Sequence, residues 1–310
     1  MSILLACDFD TAEWAQWHPA LQAVLPGERF VISADAADDD IDVAIVANPP
    51  AGALAGLPRL KLIQSLWAGV ERLLADGSVP PGVPIARMVD PAMNAAMAET
   101  ALWATLSLHR GFFRYARLQR ESRWAPHGQR RADEVTVAVL GLGQMGGAAA
   151  RRLAEQGYRV VGWSTGRAVP SSVEISVGET ALAPLLASAD IVINLLPLTA
   201  ETRGLFDAER LAHMKRGAGL ANLARGAHVV EADLLAALDS GQVGHAVLDV
   251  FDIEPLPPEH PFWRHPRVTV LPHAAAQTDP RTAAAVAAAN VRAMREGRPL
   301  AHRVDRRRGY

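Results

Sequence analysis

Cysteine is nearly missing from this chain. The single Cys7 in 310 residues cannot form an internal disulfide or build a thiolate metal cage, which excludes a disulfide-stapled scaffold and a zinc-ribbon site. Long apolar runs are missing too. Stretches approaching the roughly 18 residues of a membrane span are broken by Glu99, Gln144 or Pro197, so no membrane partner is expected. The N-terminus, Met1–Asp8, has no basic leader and meets an aspartate before a signal-peptide core is complete, so a cytoplasmic location is expected. Nor is one sign of charge in excess. The 31 Lys and Arg against 33 Asp and Glu, net −2, leave no footprint for nucleic acid, and any anion must be met by a local site. Lysine occurs twice, Lys61 and Lys215, among 31 cations, a bias that fits genomic base composition.

What is present is a core-forming composition, 50% hydrophobic and 21% charged, in a length that suits about two domains. From Ile3 to Met88, short β-rich runs (Ile3–Cys7, Arg29–Ser33, Asp42–Val46, Leu60–Leu66, Ile85–Met88) alternate with helical stretches. Alternation of this kind predicts a parallel sheet with crossover helices. Pro91–Tyr115 reads as one long helix, and Arg120–Glu134, polar and basic around Trp124, as an exposed arm. A second alternating series follows: Val135–Leu140, Tyr158–Trp163, Ile191–Leu195, Gly219–Asn222, Ala246–Val250 and Val268–Leu271, closed by an Ala-rich helix, Pro280–Arg295. Ligands of such sheets bind at the carboxyl ends of the strands.

Gly141-Leu142-Gly143-Gln144-Met145-Gly146 follows an apolar strand and opens a helix, the context a dinucleotide fingerprint requires. The first glycine permits the turn, the second lets backbone approach a pyrophosphate, and the third lets helix and strand pack closely. Eighteen residues on, an NAD-preferring site would carry a carboxylate for the ribose hydroxyls. Here the sequence is Trp163-Ser164-Thr165-Gly166-Arg167, hydroxyls and a guanidinium that suit a 2′-phosphate, so NADPH/NADP is expected over NADH/NAD. Three polar residues follow later apolar runs: Arg225, Glu254 and His273. A guanidinium holds a carboxylate bidentately, an imidazolium delivers a proton to a carbonyl oxygen, and a carboxylate behind it keeps it charged. Spacing alone also allows three solvated loop residues.

The ordered set of motifs resembles the D-2-hydroxyacid dehydrogenases, most closely their glyoxylate/hydroxypyruvate reductase A branch. It comprises the glycine fingerprint, Leu196-Pro197-Leu198-Thr199, Asn222-Leu223-Ala224-Arg225-Gly226, Leu248-Asp249-Val250-Phe251 through Glu254-Pro255-Leu256-Pro257, Leu271-Pro272-His273, and the ending Val304–Tyr310. The resemblance implies an α/β protein of two Rossmann-like domains: a flavodoxin-like substrate domain, 1–101 with 276–310, and an inserted NAD(P)-binding Rossmann domain, 102–275. It implies a catalytic set at Arg225, Glu254 and His273, with Asp249 beside the nicotinamide carboxamide and Leu196, Pro197, Thr202 and Ala224 along the cofactor. Ser65-Leu66-Trp67-Ala68-Gly69-Val70-Glu71 resembles the family loop whose amides receive the substrate carboxylate, which places Trp67, Ala68 and Gly69 at the substrate. Two departures bear on the substrate side chain: Trp67 stands where a glycine is usual, and Ala47 where the branch often carries a tryptophan.

The expected activity is reduction of small 2-oxo acids, glyoxylate and hydroxypyruvate first, to D-2-hydroxy acids, with no metal. A larger 2-oxo acid is the alternative substrate and a homodimer the expected assembly. The rival from another class is a dinucleotide-binding sensor without catalysis, and whether Arg225, Glu254 and His273 converge on the nicotinamide face discriminates the two. Other features read as structural. Asp8-Phe9-Asp10-Thr11-Ala12 superficially suggests an aspartyl-phosphate motif but fits a capped strand-to-helix turn. The acidic run from Asp35 to Asp42 reads as a solvated loop, and His260 and His265 lack metal-ligand spacing. Seven arginines after position 291 come with no recognisable nucleic-acid-binding motif.

Overall fold

A computed structural model of the chain describes residues 1–32, 40–165 and 173–309. In chain order its elements are β1 (Ser2–Cys7), α1 (Thr11–Val24), β2 (Arg29–Val31), β3 (Ile41–Ala47), β4 (Leu62–Ser65), α2 (Glu71–Ala75), β5 (Ile85–Ala86), α3 (Pro91–Arg110) and α4 (Phe112–Arg120). They continue with β6 (Thr136–Leu140), α5 (Gln144–Glu155), β7 (Arg159–Ser164), β8 (Glu174–Val177), α6 (Leu182–Ser188), β9 (Ile191–Asn194), α7 (Ala208–His213) and β10 (Ala218–Asn222). The last are α8 (Glu231–Asp239), β11 (Val243–Leu248), β12 (Val268–Val270) and α9 (Pro280–Arg295). Contacts divide the chain into two units, residues 1–93 with 278–310 and residues 94–277. The first division falls inside α3, where a continuous helical pattern carries no composition signal. The domain boundaries expected from the sequence lie nearby, at 101/102 and 275/276.

In the first unit the described strands form a parallel sheet in the order β2-β1-β3-β4-β5, the flavodoxin-like order. Every residue of β3 is buried, as a central parallel strand with both faces covered requires. Asp10 caps α1 and shares a capping box with Glu13, so Asp8–Ala12 is a strand-to-helix turn. The returning α9 is fixed by polar contacts. Buried Asn290 donates to Gln64 (2.8 Å) and accepts from the Ala301 amide (2.8 Å), and Arg295 pairs with Glu28 and Asp42. Arg306 donates to the Pro80 and Val83 carbonyls. Several of the C-terminal arginines are thus committed within the fold.

In the second unit the order is β12-β11-β10-β9-β6-β7-β8, again parallel. This is the Rossmann arrangement with its switch point between β6 and β9. The period of two is explicit in the core. Val137, Val139, Ile191 and Ile193 face Met97, Ala101 and Ala104 of α3 and Ala149, Ala150 and Leu153 of α5. Ala138, Leu140 and Val192 face Leu185 and Leu186 of α6, Leu211 of α7 and Leu234 and Leu238 of α8. Burial of each such leucine or valine contributes about 1.5–3 kcal/mol.

The expected helix Pro91–Tyr115 is in fact two. Gly111 takes a left-handed conformation (φ 69°) and starts α4, and a Cβ there would lie 2.5 Å from the His127 ring. Edge strand β8, half-exposed, was not read from the sequence because its apolar alternation is weak. Ser33 and Asp35–Asp39 lie outside the described residues. His260 and His265 are structural: each pairs with a carboxylate, Glu231 (3.1 Å) and Asp239 (3.2 Å). Among the described residues no helix is long and apolar enough to cross a membrane.

Candidate active site

The switch point of the second unit carries the glycine turn. Gly141 leaves β6 with φ 90°, and a Cβ on it would lie 2.6 Å from the Leu195 carbonyl oxygen. Gly146 in the first turn of α5 is closer still: its Cβ would stand 1.7 Å from the Gly141 oxygen, which is the helix–strand approach that the third glycine was expected to permit. Gly143 differs from both. A Cβ there meets nothing within 4 Å, and no acceptor in the described chain takes the amides of Gly143, Gln144 or Met145. Open space over unpaired amides at the start of a 12-residue helix fits a pyrophosphate. The residues present therefore suit a dinucleotide.

Ser164 ends β7, beside β6, its carbonyl accepting from the Gly178 amide (3.0 Å). Thr165 follows on the surface, and Arg167 lies outside the described residues. Beyond β9, Leu196 is buried and its amide reaches the Asn194 side chain (3.3 Å). Thr202 is also buried; its hydroxyl donates to the Pro197 carbonyl (2.8 Å) and accepts from the Thr199 amide (2.8 Å). That hydroxyl shapes the 197–202 loop.

Arg225, Glu254 and His273 come together at the carboxyl ends of β10, β11 and β12. His273 Nδ1 lies 2.8 Å from Glu254 Oε2, and the other carboxylate oxygen accepts from the Phe251 amide (2.8 Å). The hydrogen bond to Glu254 raises the His273 pKa above its ordinary 6.5, against burial. Burial pushes the Glu254 carboxyl upward, but the bonds from His273 and the Phe251 amide outweigh it and hold the group below its usual value. The charge of Arg225 acts on both partners, so all three belong to one electrostatic cluster. Arg225 itself donates to the Ala224 carbonyl (2.7 Å).

Asp249 sits beneath this cluster, buried at the end of β11. Its carboxylate accepts from the Ala274 (2.7 Å) and Ala275 (3.1 Å) amides, and its carbonyl from the His273 amide (2.8 Å). His273 has φ 52°, a left-handed conformation uncommon for a side-chain-bearing residue, and these three bonds over-determine it. Burial raises the Asp249 pKa, opposed by the two amides.

In the first unit, the loop after β4 is closed by Ser65: its hydroxyl accepts from the Trp67 amide and donates to the Trp67 carbonyl, both at 3.0 Å. The amides of Ala68 and Gly69 find no acceptor in the described chain. The Trp67 ring meets Phe9 and Trp17 edge-on, at 6.1 Å each, reaching from the end of β4 to the residues after β1. Between those strands β3 ends on small, buried Ala47.

Residues 102–275 match the family model described as D-isomer specific 2-hydroxyacid dehydrogenase, NAD binding domain. The chain belongs to this family. A glyoxylate/hydroxypyruvate reductase A of Serratia proteamaculans is 40% identical over the full length of both chains. A solved D-isomer specific 2-hydroxyacid dehydrogenase from Xanthobacter autotrophicus, in complex with NADPH and MES, is 42% identical, with a TM-score of 0.94 over 100% of this chain and 99% of its own. An NADPH-dependent glyoxylate/hydroxypyruvate reductase from Sinorhizobium meliloti, with NADP and sulfate, is 35% identical with a TM-score of 0.91 over all of both chains.

Several residues of this dehydrogenase's site were not singled out from its sequence. Gly226 is one: a Cβ there would stand 1.9 Å from the Phe251 carbonyl carbon and 2.3 Å from the Asp252 nitrogen, so the turn carrying Arg225 lies directly against the segment leading to Glu254. Asn194, Asn222 and His228, all fully buried, form another group. The available signal was an asparagine closing each of two neighbouring strands and a histidine three residues after the arginine.

Proposed function

We propose that the protein is an NADPH-preferring reductase of small 2-oxo acids, glyoxylate and hydroxypyruvate first, yielding D-2-hydroxy acids. The observation that carries this reading is the Glu254–His273 hydrogen bond with Arg225 acting on both. A protein that only sensed the dinucleotide needs no such charge-coupled acid. The NADPH preference is supported by hydroxyls in place of a carboxylate after β7 and by the NADPH or NADP held by the two solved relatives.

Gly143, Gln144 and Met145 would hold the pyrophosphate on their amides, with Ser164, Thr165 and Arg167 toward the adenosine ribose. Leu196, Pro197, Thr202, Ala224 and Asp249 would flank the remainder. When bound, the reduced nicotinamide supplies hydride to the carbonyl carbon. In the second unit the guanidinium of Arg225 takes the substrate carboxylate and polarises the carbonyl; in the first unit the amides of Ala68 and Gly69 are free to receive a carboxylate. Nδ1 of His273 is committed to Glu254, which leaves Nε2 to give its proton to the carbonyl oxygen as alkoxide character develops. Hydride and proton together convert C=O to CH–OH. Trp67 bounds the substrate side chain.

A homodimer is part of the proposal. Trp103, Phe112 and Trp124 expose 41%, 53% and 97% of their surface on α3, α4 and the arm of the second unit, apolar area suited to a second copy. A cytoplasmic setting is proposed with it. The test is a panel of 2-oxo acids assayed with NADPH and NADH separately. Turnover of short acids with NADPH preferred is expected, and no turnover with any acid would overturn the reading.

A further inference from the structure

Residues at the carboxyl ends of six strands of the second unit form a row across the sheet, each the last of its strand except Trp163, which Ser164 follows in β7. Register pairs Trp163 with Leu140, Leu140 with Asn194, Asn194 with Asn222, Asn222 with Leu248 and Leu248 with Val270. Four of the six are apolar and two, at the centre, are asparagines. Both asparagines are fully buried, as is His228, which sits in the short 3₁₀ turn Gly226–His228 next to Arg225. Buried amides add little stability over well-packed leucines, so a requirement other than stability is indicated.

The hydrogen bonds define what these groups do. Asn194 Oδ1 accepts from the Leu196 amide (3.3 Å), so its Nδ2 supplies the two hydrogens, one to Asn222 Oδ1 (2.9 Å) and one toward His228 Nδ1 (2.9 Å). Asn222 Oδ1 also accepts from the Ala224 amide (3.3 Å), and its Nδ2 donates to the Arg225 carbonyl (2.9 Å). With an Asn194 hydrogen pointing at it, His228 Nδ1 must be an acceptor. The ring hydrogen therefore sits on Nε2, which faces the Pro197 carbonyl at 3.3 Å. Two backbone bonds run alongside: the Gly204 amide to the Ala227 carbonyl and the Phe206 amide to the His228 carbonyl, both 2.8 Å.

We propose that His228 is a positioning residue for the reaction: its neutral ring, hydrogen on Nε2, ties the 196–202 loop after β9 to the turn that carries Arg225. The inference rests on the proposed reading in which that loop flanks the dinucleotide and Arg225 binds the acid. A network satisfied at every one of these atoms is rigid, so hydride donor and acid are held in one relation. Neither ring nitrogen is given a role in proton transfer; His228 acts through Arg225 and Pro197.

The full-length protein with NADPH tests this. His228→Leu removes both ring contacts, and kcat/KM for the 2-oxo acid is expected to fall by about 10- to 100-fold, a misplacement effect, with KM for the acid raised. His228→Gln keeps a donor for the Pro197 carbonyl and should recover NADPH affinity more than acid KM. His228→Asn keeps an acceptor for Asn194 and should recover acid KM more than NADPH affinity. A merely structural residue would instead give variants ranked by melting temperature alone, without this split, and that result overturns the proposal. So does a folded His228→Leu enzyme with kcat/KM within about twofold of wild type. Long-range proton–nitrogen NMR on the wild-type protein reads the ring directly: hydrogen on Nε2 is expected, and hydrogen on Nδ1 or on both nitrogens overturns the assignment even where a variant fails to fold. Failure of the underlying reading shows separately, as wild-type protein that reduces no acid.

Discussion

Gly226→Ala is the most demanding test of the site geometry. The added methyl would start 1.9 Å from the Phe251 carbonyl carbon and 2.3 Å from both the Phe251 oxygen and the Asp252 nitrogen. All three are backbone atoms, so no side chain can swing aside. Reaching ordinary contact between carbons requires a separation of about 1.5 Å more than the native backbone allows. That displacement falls between Arg225, one residue before the glycine, and Glu254, three residues after Phe251, whose Oε1 receives the Phe251 amide. Overpacking of this kind costs about 1–3 kcal/mol, and a 1 Å error between catalytic groups can cost about 100-fold in rate. The expected variant is folded with a lowered melting temperature, loses less in NADPH affinity than in turnover because the Gly143, Gln144 and Met145 amides are untouched, and loses about 100-fold in kcat/KM for the 2-oxo acid. Steady-state kinetics, a thermal melt and NADPH fluorescence titration read the three quantities. Wild-type kcat/KM in a folded Gly226→Ala protein would refute the reasoning.

Glu254→Gln removes the group that raises the His273 pKa. With His273 as the proposed proton donor, reduction is expected to weaken as pH rises through that pKa, so its alkaline limb should move to lower pH in the variant, as pH–rate profiles will show. The same pair stabilises the fold most fully between the ordinary values of 4.5 and 6.5. Stability is lost upward as His273 deprotonates at its raised pKa, and downward as Glu254 protonates at its lowered one; melting temperatures of wild type and variant across pH should diverge most inside that window. Gly143→Ala, whose Cβ meets no protein atom, should keep the wild-type melting temperature and weaken NADPH binding at least about tenfold by filling the pyrophosphate space. Asp249→Ala removes the acceptor for the Ala274 and Ala275 amides, at a cost of about 1.5–3 kcal/mol for a bond to a charged group, and should lower kcat more than it raises NADPH Kd. Arg167→Asp should reduce the NADPH-over-NADH ratio in kcat/KM, and an unchanged ratio removes Arg167 from the phosphate site.

The fold was legible where the chain's local and global requirements agree. Val135–Leu140 and the glycines after it announce a buried parallel strand, a tight turn and a close-packed helix, and Gly141 and Gly146 are where those contacts occur. The break at Gly111 was less legible, since a lone glycine in an apolar helical run is usually tolerated and the ring that leaves no room for a Cβ there, His127, is sixteen residues on. Within the site, Arg225, Glu254 and His273 stood out because they lie in motifs that resemble those of the family; their spacing alone fits solvated loop residues equally well. Asn194, Asn222, His228 and Gly226 did not. Their roles depend on which strands become neighbours and which backbones meet, and β9 and β10 are adjacent only once the sheet order is known.

The return of the chain into its first unit sets an order of events during synthesis. β1 to β5 emerge early, but Gln64 waits for Asn290, and Asp42 for Arg295. Residues 94–277 form a unit of their own and are complete before those partners leave the ribosome. At usual elongation rates the N-terminal strands are exposed without their closing helix for roughly 10 to 40 s. The nascent protein thus finishes its dinucleotide-type unit first and closes the older half last, and α9 has to add to a sheet whose strands were made long before it.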